Sequence, residues 1–155
     1  MKKIYIAGFD VFAPDAVRRG GEMKRICAEY GFVGLYPLDN EAADAEAIFR
    51  GNCALIDQVD LVIANMNPFR GDEPDSGTSF EVGYAFAKGK TIVLYLDDVR
   101  PLREKLGSTD AQGFAVEDFG LPVNLMLACA AQVVDGGFAN AVRYAAAHTG
   151  IIGGK

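Results

Sequence analysis

A chain of 155 residues, half of them apolar and about a quarter charged, can bury a full core, and one domain is expected over residues 1–155. The formal net charge of −6 argues against a nucleic-acid binder, which carries a basic face. No run reaches the roughly 18 apolar residues of a membrane span, so no membrane partner is expected.

Met1-Lys2-Lys3 leads at once into an apolar run, without a secretory leader's long apolar segment or small-residue cleavage site. A cytoplasmic location is the expectation. Lys3–Ala7 reads as a first strand, broken by Gly8-Phe9-Asp10. Pro14 starts a helix at about Asp15 that runs to Tyr30. Val17, Met23, Ile26 and Cys27 are its candidate inward residues, Gly20-Gly21 weakens its middle, and Gly31 ends it. Phe32–Tyr36 is a second strand, with Pro37-Leu38-Asp39-Asn40 as a loop at its carboxyl end. A second helix is expected from about Ala42 to Gln58, burying Ile48, Leu55 and Val59 or their neighbours.

Leu61–Asn65 is a third strand. The loop after it is punctuated by Pro68, Gly71 and Pro74. Asp75 or Ser76 can cap the next helix, which Gly77-Thr78 opens. Glu81 then falls in or next to the first turn, where the helix dipole favours a carboxylate. After Gly89-Lys90 comes a fourth strand, Thr91–Leu96. Asp97–Gly120 is charged and irregular, with a short helix near Leu102–Leu106; it reads as a lid or an oligomer contact. A helix from Val123 to Ala130, a short fifth strand Gln132–Asp135 and a last helix Phe138–His148 complete the chain. Cys27, Cys53 and Cys129 are odd in number and widely spaced. In predicted helices they read as three buried thiols, not as a disulfide or metal set.

Strands alternating with helices imply a parallel sheet with right-handed crossovers. Five strands suggest a flavodoxin-like (Rossmann-like) three-layer α/β fold of order 2-1-3-4-5. No GxGxxG follows the first strand and no Walker motif occurs, so the usual phosphate cradles are missing and no cofactor or metal is expected.

Asp75 and Glu81 therefore lie at the carboxyl end of a parallel sheet, where such folds place ligands. Two carboxylates on one cleft suit glycosyl transfer, one as nucleophile on the anomeric carbon and one assisting the leaving group. Spacing alone fits a helix cap plus a solvated Glu better. Gly83 and Ala85 read as close packing against the sheet.

The segment DSGTSFEVGYAFAKGK resembles the signature of nucleoside 2-deoxyribosyltransferases, D-x-G-T-x-x-E-x-G-x-A. Ile4-Tyr5-Ile6-Ala7-Gly8 is similar to that family's first strand, Pro37-Leu38-Asp39-Asn40 to its second-strand loop, and Pro122-Val123-Asn124-Leu125-Met126 to its sugar-site segment. Pro68-Phe69-Arg70-Gly71 resembles one subgroup. The resemblance implies base exchange on 2′-deoxynucleosides, in nucleoside salvage. Glu81 would be the nucleophile, Asp75 would support proton transfer to the leaving nitrogen, and Tyr5 would orient the nucleophile. Gly8, Phe9 and Asp10 would flank the base, with Gly77 a further substrate-binding position. Asn124 would hold sugar hydroxyls and Met126 would line the same pocket, both supplied by a neighbouring subunit. That implies a homodimer or larger homo-oligomer whose small-molecule partners are nucleosides and free bases.

Two positions depart from the family pattern. Asn52 stands where some members carry an Asp, and Glu41 where they carry a base-edge Gln. An ionised Glu41 only accepts, which would favour bases presenting N–H donors. The alternative from the same resemblance is an N-glycosidase of 2′-deoxynucleosides or their 5′-phosphates. It would need a phosphate pocket near the first loop, to which Arg18 and Arg19 could contribute. A non-catalytic nucleotide sensor is a third possibility, disfavoured by the intact Asp75, Glu81 and Asn124.

Overall fold

The computed structural model describes residues 1–149; residues 150–155 lie outside the description, including the end of the expected domain span. Five strands form one parallel sheet of order β2-β1-β3-β4-β5: β1 (Lys3–Ala7), β2 (Val33–Leu35), β3 (Leu61–Asn65), β4 (Thr91–Leu96) and β5 (Gln132–Asp135). This is the expected flavodoxin-like arrangement. The helices are α1 (Ala16–Glu29), α2 (Ala45–Gln58), α3 (Ser76–Ala87), α4 (Leu102–Leu106), α5 (Leu125–Ala128) and α6 (Phe138–His148). None is long and apolar enough to cross a membrane among the described residues.

Strand alternation sends side chains to two separate cores. Ile4, Ile6, Leu61, Ile63, Val93 and Tyr95 pack with residues of α1 and α6. Tyr5, Ala7, Val62, Ala64, Leu94 and Leu96 pack on the opposite face, with Ile56 of α2 and Val82 and Ala85 of α3. Central strands buried on both faces explain their continuous apolar runs. The order reverses between β1 and β3, and the chain leaves β1 for α1 on one face and β3 for α3 on the other. This divergence opens a crevice above the carboxyl ends of β1 and β3.

Several inward positions differ from expectation. Val17 is 78% exposed; Met23 and Cys27 are buried as expected, and Ala16 and Gly20 join them in a stripe with spacing i, i+4, i+7, i+11. Gly20 belongs to that stripe because a Cβ there would sit 2.4 Å from the Tyr36 ring. The glycine is thus a packing residue and not merely a weak point. In α2 the buried residue is Ile56, while Ile48 is partly exposed. Gly83 faces open space rather than the sheet, whereas Ala85 is fully buried. Of the thiols only Cys27 is buried; Cys53 is half-buried and Cys129 exposed.

Candidate active site

The crevice is a cleft of about 560 Å³. Its walls come from four places: the turn after β1 (Gly8, Val11, Phe12), the loop after β2 (Pro37, Leu38, Asn40, Ala42), one stripe of α2, and the start of α3. The α2 stripe is Ile48, Phe49, Asn52, Cys53 and Ile56, the i, i+1, i+4, i+5, i+8 spacing of a single helix face. The α3 contribution is Asp75, Gly77, Phe80 and Glu81. The lining is mostly apolar, with the two carboxylates as its ionisable acids.

Asp75 is the N-cap of α3. Its Oδ2 accepts from the backbone N–H of Thr78 at 2.9 Å and from the Thr78 hydroxyl at 2.8 Å. That leaves Oδ1 without a hydrogen-bond partner among the described residues. Gly77 lies beside this corner, where a Cβ would stand in van der Waals contact with Asp75 Oδ2 at 3.4 Å.

Glu81 lies in the second turn of α3, not the first, so the exposed N–H groups at the helix start do not stabilise its charge. Burial is the dominant influence and raises its pKa to about 7; the neighbouring Asp75 charge pushes the same way. Against both acts a hydrogen bond donated by the Tyr5 hydroxyl to Glu81 Oε2. Tyr5 is fully buried in β1, on the sheet face that meets α3. Burial and the Glu81 charge drive its own pKa far above the ordinary tyrosine range, so it remains a neutral donor. Glu81 Oε1 is left as the open oxygen.

Asn52 lines the cleft, and its buried Oδ1 has no hydrogen-bond partner. An unmade bond of this kind costs about 1–3 kcal/mol, which a ligand N–H can recover. Asn40 is fixed differently: its Oδ1 accepts from Ala42 N at 3.3 Å and its Nδ2 donates to Ile48 O at 3.2 Å. It packs over Gly51, where a Cβ would stand 2.0 Å from its amide.

The turn after β1 is held from behind. Asp10 accepts from Asn65 Nδ2 at 3.2 Å and pairs with Arg19 at 3.3 Å. Gly8 is required there, because a Cβ would lie 2.8 Å from Asp10 and 2.9 Å from Asn65. Phe9 stacks on Phe69 with ring centroids 4.8 Å apart, and Phe12 stacks on the same ring at 5.6 Å. Arg70, in the left-handed region at φ 55, lays its guanidinium 4.4 Å from the Phe69 ring centre and 5.0 Å from that of Phe12. This column ties the loop before α3 to the turn after β1.

The structure therefore gathers Tyr5, Gly8, Asn52, Asp75, Gly77 and Glu81 at one cleft. Phe9 and Asp10 are not part of its lining. Glu41 is exposed and outside the lining, while Asn40 and Ala42 on either side belong to it. Asn124 and Met126 stand apart. Asn124 caps α5 and borders a second cavity of about 540 Å³ with Asp72, Glu73 and Glu117, and Met126 is 75% exposed. Sequence reasoning missed Phe12, Asn40, Phe49, Cys53 and Phe80. The α2 stripe was the available signal, because its apolar residues share a helical face with Asn52 and a pure core stripe excludes such an amide.

A family model described as nucleoside 2-deoxyribosyltransferase matches residues 4–126. An uncharacterized protein of Schizosaccharomyces pombe is 34% identical over 121 residues, covering 72% of this chain and 57% of that protein. The chain thus spans little more than half the length of that relative. The structure of a 2-desoxiribosyltransferase from Leishmania mexicana is 43% identical, with a TM-score of 0.87 over 96% of this chain and 99% of that one. A Clostridium botulinum CMP N-glycosidase, 19% identical with a TM-score of 0.55 over 92% of this chain and 96% of that one, shares the fold alone.

Proposed function

The chain belongs to the nucleoside 2-deoxyribosyltransferase family, and on that premise we propose that it exchanges the base of 2′-deoxynucleosides through a covalent ester on Glu81, in nucleoside salvage. The observation that carries this reading is the state of Glu81: a desolvated carboxyl that lines an apolar cleft and has one donor, Tyr5, on Oε2.

In the first step Glu81 Oε1 bonds to C1′ as the C1′–N bond breaks. The bonding pair leaves with the base nitrogen, which takes a proton as it departs. Asp75 Oδ1 is the free oxygen suited to relay that proton, while Oδ2 stays on the helix cap. An acceptor base then attacks C1′, returns its N–H proton by the same route and frees Glu81. The Tyr5 hydroxyl holds Oε2 throughout and fixes which oxygen attacks. Asn52 Oδ1 offers an acceptor to a base N–H.

The apolar lining favours a base over water as acceptor. Arg18 is paired with Asp15 and Glu22, and Arg19 with Asp15 and Asp10; neither lines the cleft, which speaks against a 5′-phosphate substrate. The sugar subsite is completed by Asn124 and Met126 of a second copy, in a homodimer or a larger assembly. Support comes from α3, whose outward residues Phe80, Gly83 and Phe86 are exposed and uncharged. A twofold contact is the simplest closed arrangement.

The test is to mix one deoxynucleoside with a different free base. New nucleoside in excess of free deoxyribose supports exchange. Free deoxyribose alone supports hydrolysis and removes the transferase reading.

A further inference from the structure

Glu117 has no part in the chemistry above, yet both its carboxylate oxygens are engaged. Oε1 accepts the backbone N–H of Leu125 at 2.7 Å, and Oε2 accepts from Nδ2 of Asn124 at 3.0 Å. Asn124 in turn accepts the N–H of Met126 through Oδ1 at 2.9 Å. These bonds surround the start of α5, a helix of four residues and too short to be stable by itself. With Nδ2 turned to Glu117 and Oδ1 to Met126, the Asn124 amide cannot flip without losing both bonds. One N–H and one lone pair remain for a ligand.

The segment carrying Glu117 is braced. Asp110 Oδ1 accepts from Gln112 N at 2.9 Å and Phe114 N at 3.0 Å, closing a turn. Thr109 pairs with Ala115 across it, and Val116 N donates to Ser108 O at 3.0 Å. Arg103 Nη2 holds the carbonyl of Val116 at 2.9 Å, one residue before Glu117. Lys105 ties together the carbonyls of Asp98 at 2.9 Å and Pro122 at 2.8 Å, joining the two ends of the segment.

We propose that Glu117 is a positioning residue for the exchange reaction, fixing the Asn124 side chain in the orientation that holds a deoxyribose hydroxyl. The braced segment 97–120 serves to deliver it. This rests on the sugar-binding reading of Asn124. Two N–H groups face Glu117, so it must present two acceptors, and a carboxylate does. Glutamine has the same shape but must turn its NH₂ toward one of those N–H groups.

The test is a double-mutant cycle of Glu117→Gln and Asn124→Ala, read by steady-state exchange. Glu117→Gln alone should raise KM for the deoxynucleoside by roughly tenfold or more, the scale of a lost hydrogen bond to a charged acceptor. The pair should be no worse than Asn124→Ala. In the free protein, the Asn124 side-chain amide proton resonance should move upfield in Glu117→Gln while the thermal midpoint shifts little. Glu117→Asp, which keeps both acceptors but retracts them, serves the same cycle if the Gln variant does not fold. Equal effects of Glu117→Gln with and without Asn124 would overturn the proposal. Asn124→Ala that damages exchange beside a harmless Glu117→Gln would overturn this proposal alone. Asn124→Ala with wild-type exchange would remove the reading of Asn124 and this proposal with it.

Discussion

Glu81 and Glu117 are both half-buried glutamates, and the chain treats them in opposite ways. Glu117 receives two N–H donors, one on each oxygen, and its charge is fully used in holding α5. Glu81 receives one hydroxyl, has lost most of its water and keeps one oxygen open. The satisfied carboxylate positions its neighbours, whereas the under-satisfied one is held at a cost to folding, which on the proposed reading a reaction partner offsets. What separates the two acids is the count of donors against the water removed, not sequence spacing or helix position.

The largest consequence is kinetic. Glu81→Ala should lower exchange by at least about 10³-fold, the scale seen when a covalent nucleophile is removed. Circular dichroism should show the fold retained, because the buried residues that anchor α3, Thr78, Val82 and Ala85, are untouched. Substantial residual exchange in that variant would abolish the contrast between the two glutamates.

A second consequence concerns stability. Folding raises the Glu81 pKa from an ordinary 4.5 to about 7, so the folded chain binds the extra proton between those values. Stability from this group is greatest below about pH 4.5 and declines as pH rises toward 7. Glu81→Gln removes the slope. Relative to wild type it should gain about 2–3 kcal/mol between pH 4 and pH 8 in denaturant titrations. A flat difference across that range would mean Glu81 is well solvated.

Tyr5→Phe removes the single donor that lowers the Glu81 pKa. The ascending limb of the pH–rate profile, set near pH 7 by Glu81, should move to higher pH, and kcat should fall about 10–100-fold. An unchanged limb would show that the hydroxyl does not govern Glu81. The smallest effect is the stability cost at Asp75. Asp75→Ala should cost about 1 kcal/mol of stability by uncapping α3, measured by thermal unfolding, in addition to any loss of rate.

Much of this was legible in the residues. β1, β3 and β4 lie where hydrophobic runs and turn residues put them, because central strands are buried on both faces and cannot vary in polarity; the edge strand β5 and α6 also keep their expected bounds. Asp75 is recognisable as a cap from its place before Ser76-Gly77-Thr78. The position of Glu81 was harder to read, since one turn of helix separates a dipole-stabilised carboxylate from a desolvated one. Apolar residues of the cleft misled in the same manner: Ile48 is hydrophobic for the cleft and not for the core, and Gly20 is buried without being hydrophobic. Glu117 gave no signal, because its partners Asn124 and Leu125 meet it only after the 97–120 segment folds back.

The most direct test of the central claim is the mass of the intact protein after brief exposure to a 2′-deoxynucleoside without an acceptor base. The account predicts a deoxyribosyl adduct that maps to Glu81, disappears when a second base is added and never forms in Glu81→Ala. Exchange proceeding with no adduct under these conditions, or an adduct that persists in Glu81→Ala, would contradict it.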